Sequence, residues 1–139
     1  MEILSEAGGC LSGSGYQTSL EAGSHRFMAD EPASLGGEDA GPDPYSLLLS
    51  SLIACTAITL RMYAERKQWP LENVRVQCRL IRREEGAPLL IERMISTEGP
   101  LLDREQKDRL LQIANACPVH KLLATGISIE TSGNHSLSA

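Results

Sequence analysis

The chain has 139 residues, a length that predicts one domain able to bury roughly two-thirds of the surface its unfolded form exposes. Hydrophobic residues make up 42% and charged residues 22%, the balance of a soluble globular protein. The net charge of -5 argues against a basic nucleic-acid surface, so no nucleic-acid partner is expected.

About the first 40 residues are rich in Gly and Ser and weakly patterned, and residues 1–14 read as a loose terminus. "GYQTSLEAGSHRFMAD" predicts a hairpin from residues 16–20 and 25–29, turning at Glu21-Ala22-Gly23. "EPASLGGEDAGPDP", residues 31–44, reads as a loop dense in Gly, Pro and Asp, of a length that is often functional.

A long helix is expected next. Asp43 suits the N-cap and Pro44 the first helical position, where its missing N–H costs nothing. Residues 45–60, "YSLLLSSLIACTAITL", carry no charge. The run is short for a bilayer span and contains five Ser or Thr, so it predicts a buried core helix and no membrane partner. "RMYAERK" then turns amphipathic, and the helix stops before Trp69-Pro70. At ~1.5 Å per residue it would be about 35 Å long.

Two strands follow. "VRVQCRLIRR" alternates Val74, Val76, Cys78 and Leu80 with Arg75, Gln77 and Arg79, and "LLIERMIST" repeats the pattern after the "EEGAP" turn. Asp103 and Gln106 spell a capping box for a second helix running to about Ala116. A short helical piece through Leu123, Gly126 as its C-cap and a strand at residues 127–131 complete the domain, with 132–139 as a loose tail. No linker or repeat divides the chain, so the prediction is a single α+β domain over residues 1–139.

The N-terminus "MEILSEAGG" has neither the basic nor the apolar region of a secretory signal. A reducing, cytoplasmic setting is therefore expected, with Cys10, Cys55, Cys78 and Cys117 as thiols. Cys78 sits at an inward strand position and reads as a small buried hydrophobe. Cys10 has no evident partner. Cys55 lies mid-helix on a face shared with residues 48, 51, 52, 58, 59 and 62, so Ser51 and Thr59 flank it one turn away. Packing and chemistry both fit that position.

Cys117 meets Pro118 at the end of the second helix and reads as the more accessible thiol. It could be core, half of a metal clip with His120, or a redox thiol. "CPVH" supplies only half a tetrahedral zinc site, and no CxxC or HxxxH completes it. Neither a metal nor any other cofactor is expected, and His120 alone reads as a surface histidine.

"GPDPYSLLLSSLIACTAITLRMYAERKQWPLENVRV" followed by "ANACPVHKLL" resembles the OsmC/Ohr family of thiol-dependent peroxide reductases. The likeness spans about residues 23–131. Its specific parts are the G-P-x-P helix entry, Ala-Cys-Thr in the central helix and Cys-Pro-Val after the second helix. "HRFMADEP" with "GGEDAGPDP" is similar to the OsmC-like branch with a His-containing N-terminal strand.

The resemblance implies a swapped homodimer, its long central helices buried and wrapped by antiparallel sheets from both subunits, with active sites at the interface. It makes Cys55 the peroxidatic thiol, oxidised by an organic hydroperoxide to a sulfenic acid, and Cys117 the resolving thiol that closes a disulfide. An external dithiol, a lipoylated or thioredoxin-like protein, would restore both. The family's peroxidases carry a Glu one turn into the central helix, paired with an Arg from an N-terminal loop. Here that turn is Pro44-Tyr45-Ser46, which leaves His25, Arg26 and Glu31 (with Asp30 beside it) as candidates to support the thiolate and orient the peroxide. The alternative is a redox-sensing or small-ligand-binding relative with little turnover. Apart from the resemblance, the uncharged helix is too apolar to face water on any side, which predicts an obligate dimer burying well over ~2,000 Å².

Overall fold

The Gly-rich N-terminus is more ordered than its composition predicts. In a computed structural model, which describes residues 1–133, Ala7–Leu11 forms a strand, β1, where a loose terminus was expected. It pairs antiparallel with β2, Thr18–Ala22, which pairs antiparallel with β3, His25–Ala29. The reason lies in the glycines. A Cβ at Gly9 would come within 2.8 Å of the Leu20 side chain and 2.9 Å of the Ser19 carbonyl oxygen, so a missing side chain permits this close pairing. The hairpin turn falls one residue later than expected, on Gly23-Ser24. Gly23 takes the positive φ, +60°, that a two-residue turn requires, and Ala22 pairs with His25.

Backbone contacts divide the chain into two compact units: residues 1–53 with 77–94, and residues 54–76 with the chain from Ile95 onward. In the first, the loop after β3 is organised by one buried carboxylate. Asp30 accepts the backbone N–H groups of Glu31 at 2.8 Å, Ala40 at 3.0 Å and Glu38 at 3.1 Å, and its own N–H donates to the Pro42 carbonyl at 3.2 Å. A Cβ on Gly37 would overlap the Glu31 carbonyl at 1.9 Å, so only glycine fits there.

The central helix, α1, is Pro44–Lys67, as the sequence predicts. Asp43 accepts the Ser46 N–H at 3.3 Å and also the Ser46 hydroxyl. Leu52, Thr56, Leu60 and Ala64, spaced four apart, form its buried face. Only 22% of its most apolar stretch is buried within one chain, although length and composition would suit a membrane-crossing helix. The expectation of a buried helix is thus met on one face and not on the others. Tyr45, Leu48, Ile58 and Met62 stay exposed.

α1 ends in a Schellman arrangement rather than at the proline itself. Gln68 turns left-handed at φ +57°, its N–H donates to Glu65 at 3.1 Å, and the Trp69 N–H reaches back to Ala64 at 2.8 Å.

The strands β4, Asn73–Ile81, and β5, Leu90–Glu98, pair in a two-stranded sheet. The alternation predicted for β4 is present: Val74, Val76, Cys78 and Leu80 are half-buried while Arg75, Gln77 and Arg79 are exposed. The capping box forms as expected at the start of α2, Arg104–Ile113, with Asp103 and Gln106 exchanging bonds of 2.8 and 3.0 Å. α2 tightens into a 3-10 turn over Ala114–Ala116, and a new helix, α3, runs over Pro118–Thr125 to a C-cap at Gly126. The second unit's core is Leu60, Ala64, Leu71, Leu102, Leu110 and Ala114, with Tyr63, Trp69, Val74, Ile95 and Ile113 packed on it.

The strand expected at residues 127–131 does not form. A single chain gives this segment no ladder partner, and Ile127 and Ile129 are 68% and 85% exposed. Of the expected loose tail, residues 134–139 lie outside the described residues.

Candidate active site: a hydrogen-bonded thiol pair

Pro118 opens a helix as well as closing one. As the first residue of α3 it lacks the N–H that position leaves unsatisfied in any case, and this makes Cys117 the N-cap. The Cys117 side chain makes no capping hydrogen bond to the first turn of α3. Cys117 is fully buried, contrary to the expectation of an accessible thiol, because the 3-10 turn folds it inward against α1. The buried Thr56 hydroxyl donates to it at 4.0 Å.

Cys55, one residue before Thr56, is only half-buried. Its thiol and that of Cys117 are hydrogen-bonded partners. Of its two expected flanking hydroxyls, Thr59 bonds to the sulfur, whereas Ser51 donates to the Leu48 carbonyl at 2.7 Å.

This arrangement drives the two thiols apart in acidity. Burial pushes Cys55 up, and the bond to Cys117 and its charge push it further, outweighing the Val119 N–H and the Thr59 hydroxyl. Burial also works against a charge on Cys117. There the Cys55 thiol, the N–H groups of His120 and Val119, and the Thr56 hydroxyl prevail and hold it below its ordinary value. Two sulfurs in hydrogen-bond contact, one disposed to keep its proton and one to lose it, form a pair suited to disulfide chemistry.

The other candidates stand elsewhere. His25 opens β3 and is exposed. Arg26 meets Glu21 at 3.1 Å on the exposed surface, a pairing of little energetic weight. Glu31 is half-buried in the loop, its backbone tied to Asp30 and Asp39. All three belong to the first compact unit, while Cys55 and Cys117 belong to the second. Cys78 is half-buried on β4 and raised by burial, opposed by Arg93, and the exposed Cys10 touches Ser12 at 3.3 Å. Among the described residues no group of three or more His, Cys, Asp or Glu is placed to hold a metal ion. His120 is half-buried in the first turn of α3.

Sequence reasoning missed Thr56 and the start of a new helix directly after Cys117. The available signal was Pro118, which marks a helix start as readily as a helix end.

A long helix carrying one thiol, packed by a second helix that is capped by another, defines an α+β protein with a two-cysteine site. The model of the family described as "OsmC-like protein" matches residues 36–132, and the chain belongs to that family. The fold is similar to an osmotic stress induced and detoxification response protein from Psychrobacter arcticus, at TM-score 0.71 and 17% identity, covering 87% of this chain and 89% of that one. It is similar also to an OsmC-like protein from Mycoplasma pneumoniae, at TM-score 0.68 and 19% identity, covering 89% of each chain. The organic hydroperoxide resistance protein of Bacillus subtilis gives TM-score 0.59 and 21% identity over 86% of this chain and 89% of that one. No curated protein sequence matches this chain.

Proposed function

We propose that this protein reduces organic hydroperoxides with the Cys55–Cys117 pair, as a single OsmC-like domain that works as a homodimer. The observation that supports the reading is the interaction between the two thiols, each of which acts on the other's acidity. Cys55, the more exposed sulfur, is the peroxidatic thiol and Cys117 the resolving one. The Cys55 thiolate attacks the terminal oxygen of the hydroperoxide, the O–O bond breaks, and an alcohol leaves. Cys117 then attacks the oxidised sulfur, forming the disulfide and releasing water, and an external dithiol (a lipoylated or thioredoxin-like protein) reduces it.

The homodimer rests on α1, whose uncharged stripe of Tyr45, Leu48, Ile58 and Met62 one chain leaves exposed. The swapped arrangement would cover it, and would bring His25, Arg26 and Glu31 to the pocket as supporting groups. An aliphatic seam favours alkyl hydroperoxides over hydrogen peroxide.

The test is thiol loss on adding cumene hydroperoxide or hydrogen peroxide in equal amounts. Faster loss with cumene hydroperoxide, abolished in Cys55→Ser, is expected. A second reading, a redox sensor with slow turnover, is favoured by one observation: the Cys55 thiol is raised and the first turn of α1 carries no carboxylate. Stoichiometric oxidation without turnover in the presence of a dithiol would select it.

A further inference from the structure

Away from the thiols, the end of α1 and the outer side of α2 border a cleft of about 580 Å³, a volume suited to a small organic molecule. All of its lining belongs to the second compact unit. The geometry points to this cleft as a binding site for a small aromatic carboxylate, its charge held by Arg109 and Lys67 and its ring laid against Tyr63 and Trp69. The site makes no use of Cys55 or Cys117 and stands whether or not the peroxidase reading does.

The aromatic wall follows from how α1 ends. The left-handed turn at Gln68 sends the Trp69 N–H back to the Ala64 carbonyl, so Trp69 folds against the helix it has just left. Its ring meets that of Tyr63 edge-on, with centroids 5.5 Å apart and planes at 73°. Both residues are half-buried, packed on the unit's core on one side and lining the cleft on the other. A ligand ring that covers them displaces water from apolar surface already fixed in place.

Three cations crowd this wall. Arg66 and Lys67 stand one turn beyond Tyr63 on α1, and Arg109 reaches it from α2. Their charged groups lie 5.7, 5.7 and 5.9 Å from the ring centroid, in that order. None has a carboxylate in ion-pair contact: among the described residues the pairs are Arg26 with Glu21 and Arg79 with Glu92. Arg109 is held by neutral acceptors instead. Its Nε donates to the Tyr63 hydroxyl at 3.3 Å and its Nη1 to the Gln112 side-chain oxygen at 3.1 Å. The guanidinium is thus oriented in advance while its charge stays uncompensated, and Nη2 is left to donate to a ligand oxygen. The Arg109 bond, helped by the charges of Arg109, Lys67 and Arg66, also holds the Tyr63 hydroxyl below the ordinary tyrosine range.

The same cleft limits the ligand's charge. Asp103, Glu105 and Asp108 line it as well. Asp103 is committed to the Gln106 N–H in the capping box, but Glu105 and Asp108 enter no ion pair, and their field opposes a second negative charge on the ligand. A monoanion is therefore favoured over a phosphate dianion, and the wall favours an aromatic ring over a short aliphatic acid.

Trp69 is the only tryptophan in the chain, so its emission reports on the cleft directly. Benzoate, acetate, benzylamine and phenyl phosphate are titrated against the parent by tryptophan emission and by calorimetry. Benzoate should give a saturable response at a single site, and the other three should bind more weakly. Arg109→Gln, at an exposed position, should weaken benzoate about tenfold or more, the size of a lost charge-assisted hydrogen bond. Arg109→Lys should recover part of that loss. Lys67→Gln, which leaves α2 untouched, should weaken benzoate independently, and Arg82→Gln, just beyond β4 and outside the cleft, should bind like the parent. The proposal is overturned if benzoate gives no saturable response, if Arg109→Gln or Lys67→Gln binds it as tightly as the parent, or if any of the other three probes matches it.

Discussion

Replacing Ile58 by glutamate tests the assembly near the middle of the central helix. Ile58 lies on the uncharged stripe of α1 and is 53% exposed within one chain. Full burial of such a side chain contributes about 1.5–3 kcal/mol, so the half left uncovered is worth about 1 kcal/mol per subunit, or about 2 in a symmetric dimer. The two introduced carboxylates must also leave water, at a net cost of several kcal/mol. Together these weaken association by roughly 5 kcal/mol, more than a thousandfold in Kd. Sedimentation velocity over a dilution series should show the parent as a dimer at micromolar concentration and Ile58→Glu as a monomer or as aggregate. A variant that sediments as a dimer with the parent's Kd would refute the reasoning, because the stripe would then lie away from the seam. A parent that is a stable folded monomer at micromolar concentration would refute the dimer itself.

Gln68→Gly should stabilise the protein by about 0.5–1 kcal/mol in urea titrations, since glycine removes the penalty of a side chain at the left-handed cap position. Thr56→Val keeps the buried shape and removes the hydroxyl that donates to Cys117. The lower thiol titration should move up by less than about one pH unit, the bond being long and its acceptor a sulfur. The loop after β3 should loosen in acid. The N–H of Ala40 leads the bonds that hold the Asp30 carboxyl below its ordinary value, so its contribution is present above about pH 4 and lost as pH falls through the lower folded value. Protection of the Glu38 and Ala40 amides against exchange should drop on acidification, and Asp30→Asn should show low protection already at neutral pH. Leu110→Ala, at a fully buried position of the second unit's core, should cost about 2–5 kcal/mol in the same titrations.

The elements that could be read in advance were those whose signals are local. Pro44 after Asp43, the capping pair Asp103 and Gln106, and the two-residue alternation of β4 each decide their own few residues. What escaped prediction depends on distant partners. β1 is Gly-rich and weakly patterned, and it exists because Gly9 lets its backbone approach β2 closely. Residues 127–131 alternate as a strand should, and within one chain they pair with none of the strands. The thiol pair was divided in the same way. Periodicity put Thr59 beside Cys55, but proximity of Cys55 and Cys117 across 62 positions of sequence came only from the family resemblance. Their relative burial was inverted in the reading, since nothing local announces that a 3-10 turn will fold Cys117 inward.

The backbone of Cys117 is held on both sides: its N–H donates to the Ala114 carbonyl at 3.3 Å and its carbonyl accepts the Lys121 N–H at 3.1 Å. With the main chain fixed between the 3-10 turn and α3, the sulfur changes position chiefly by turning about its own Cα–Cβ bond, among the few staggered settings that bond allows. Any bond this sulfur makes to a neighbour is then a matter of rotating one side chain, with both flanking turns left in place.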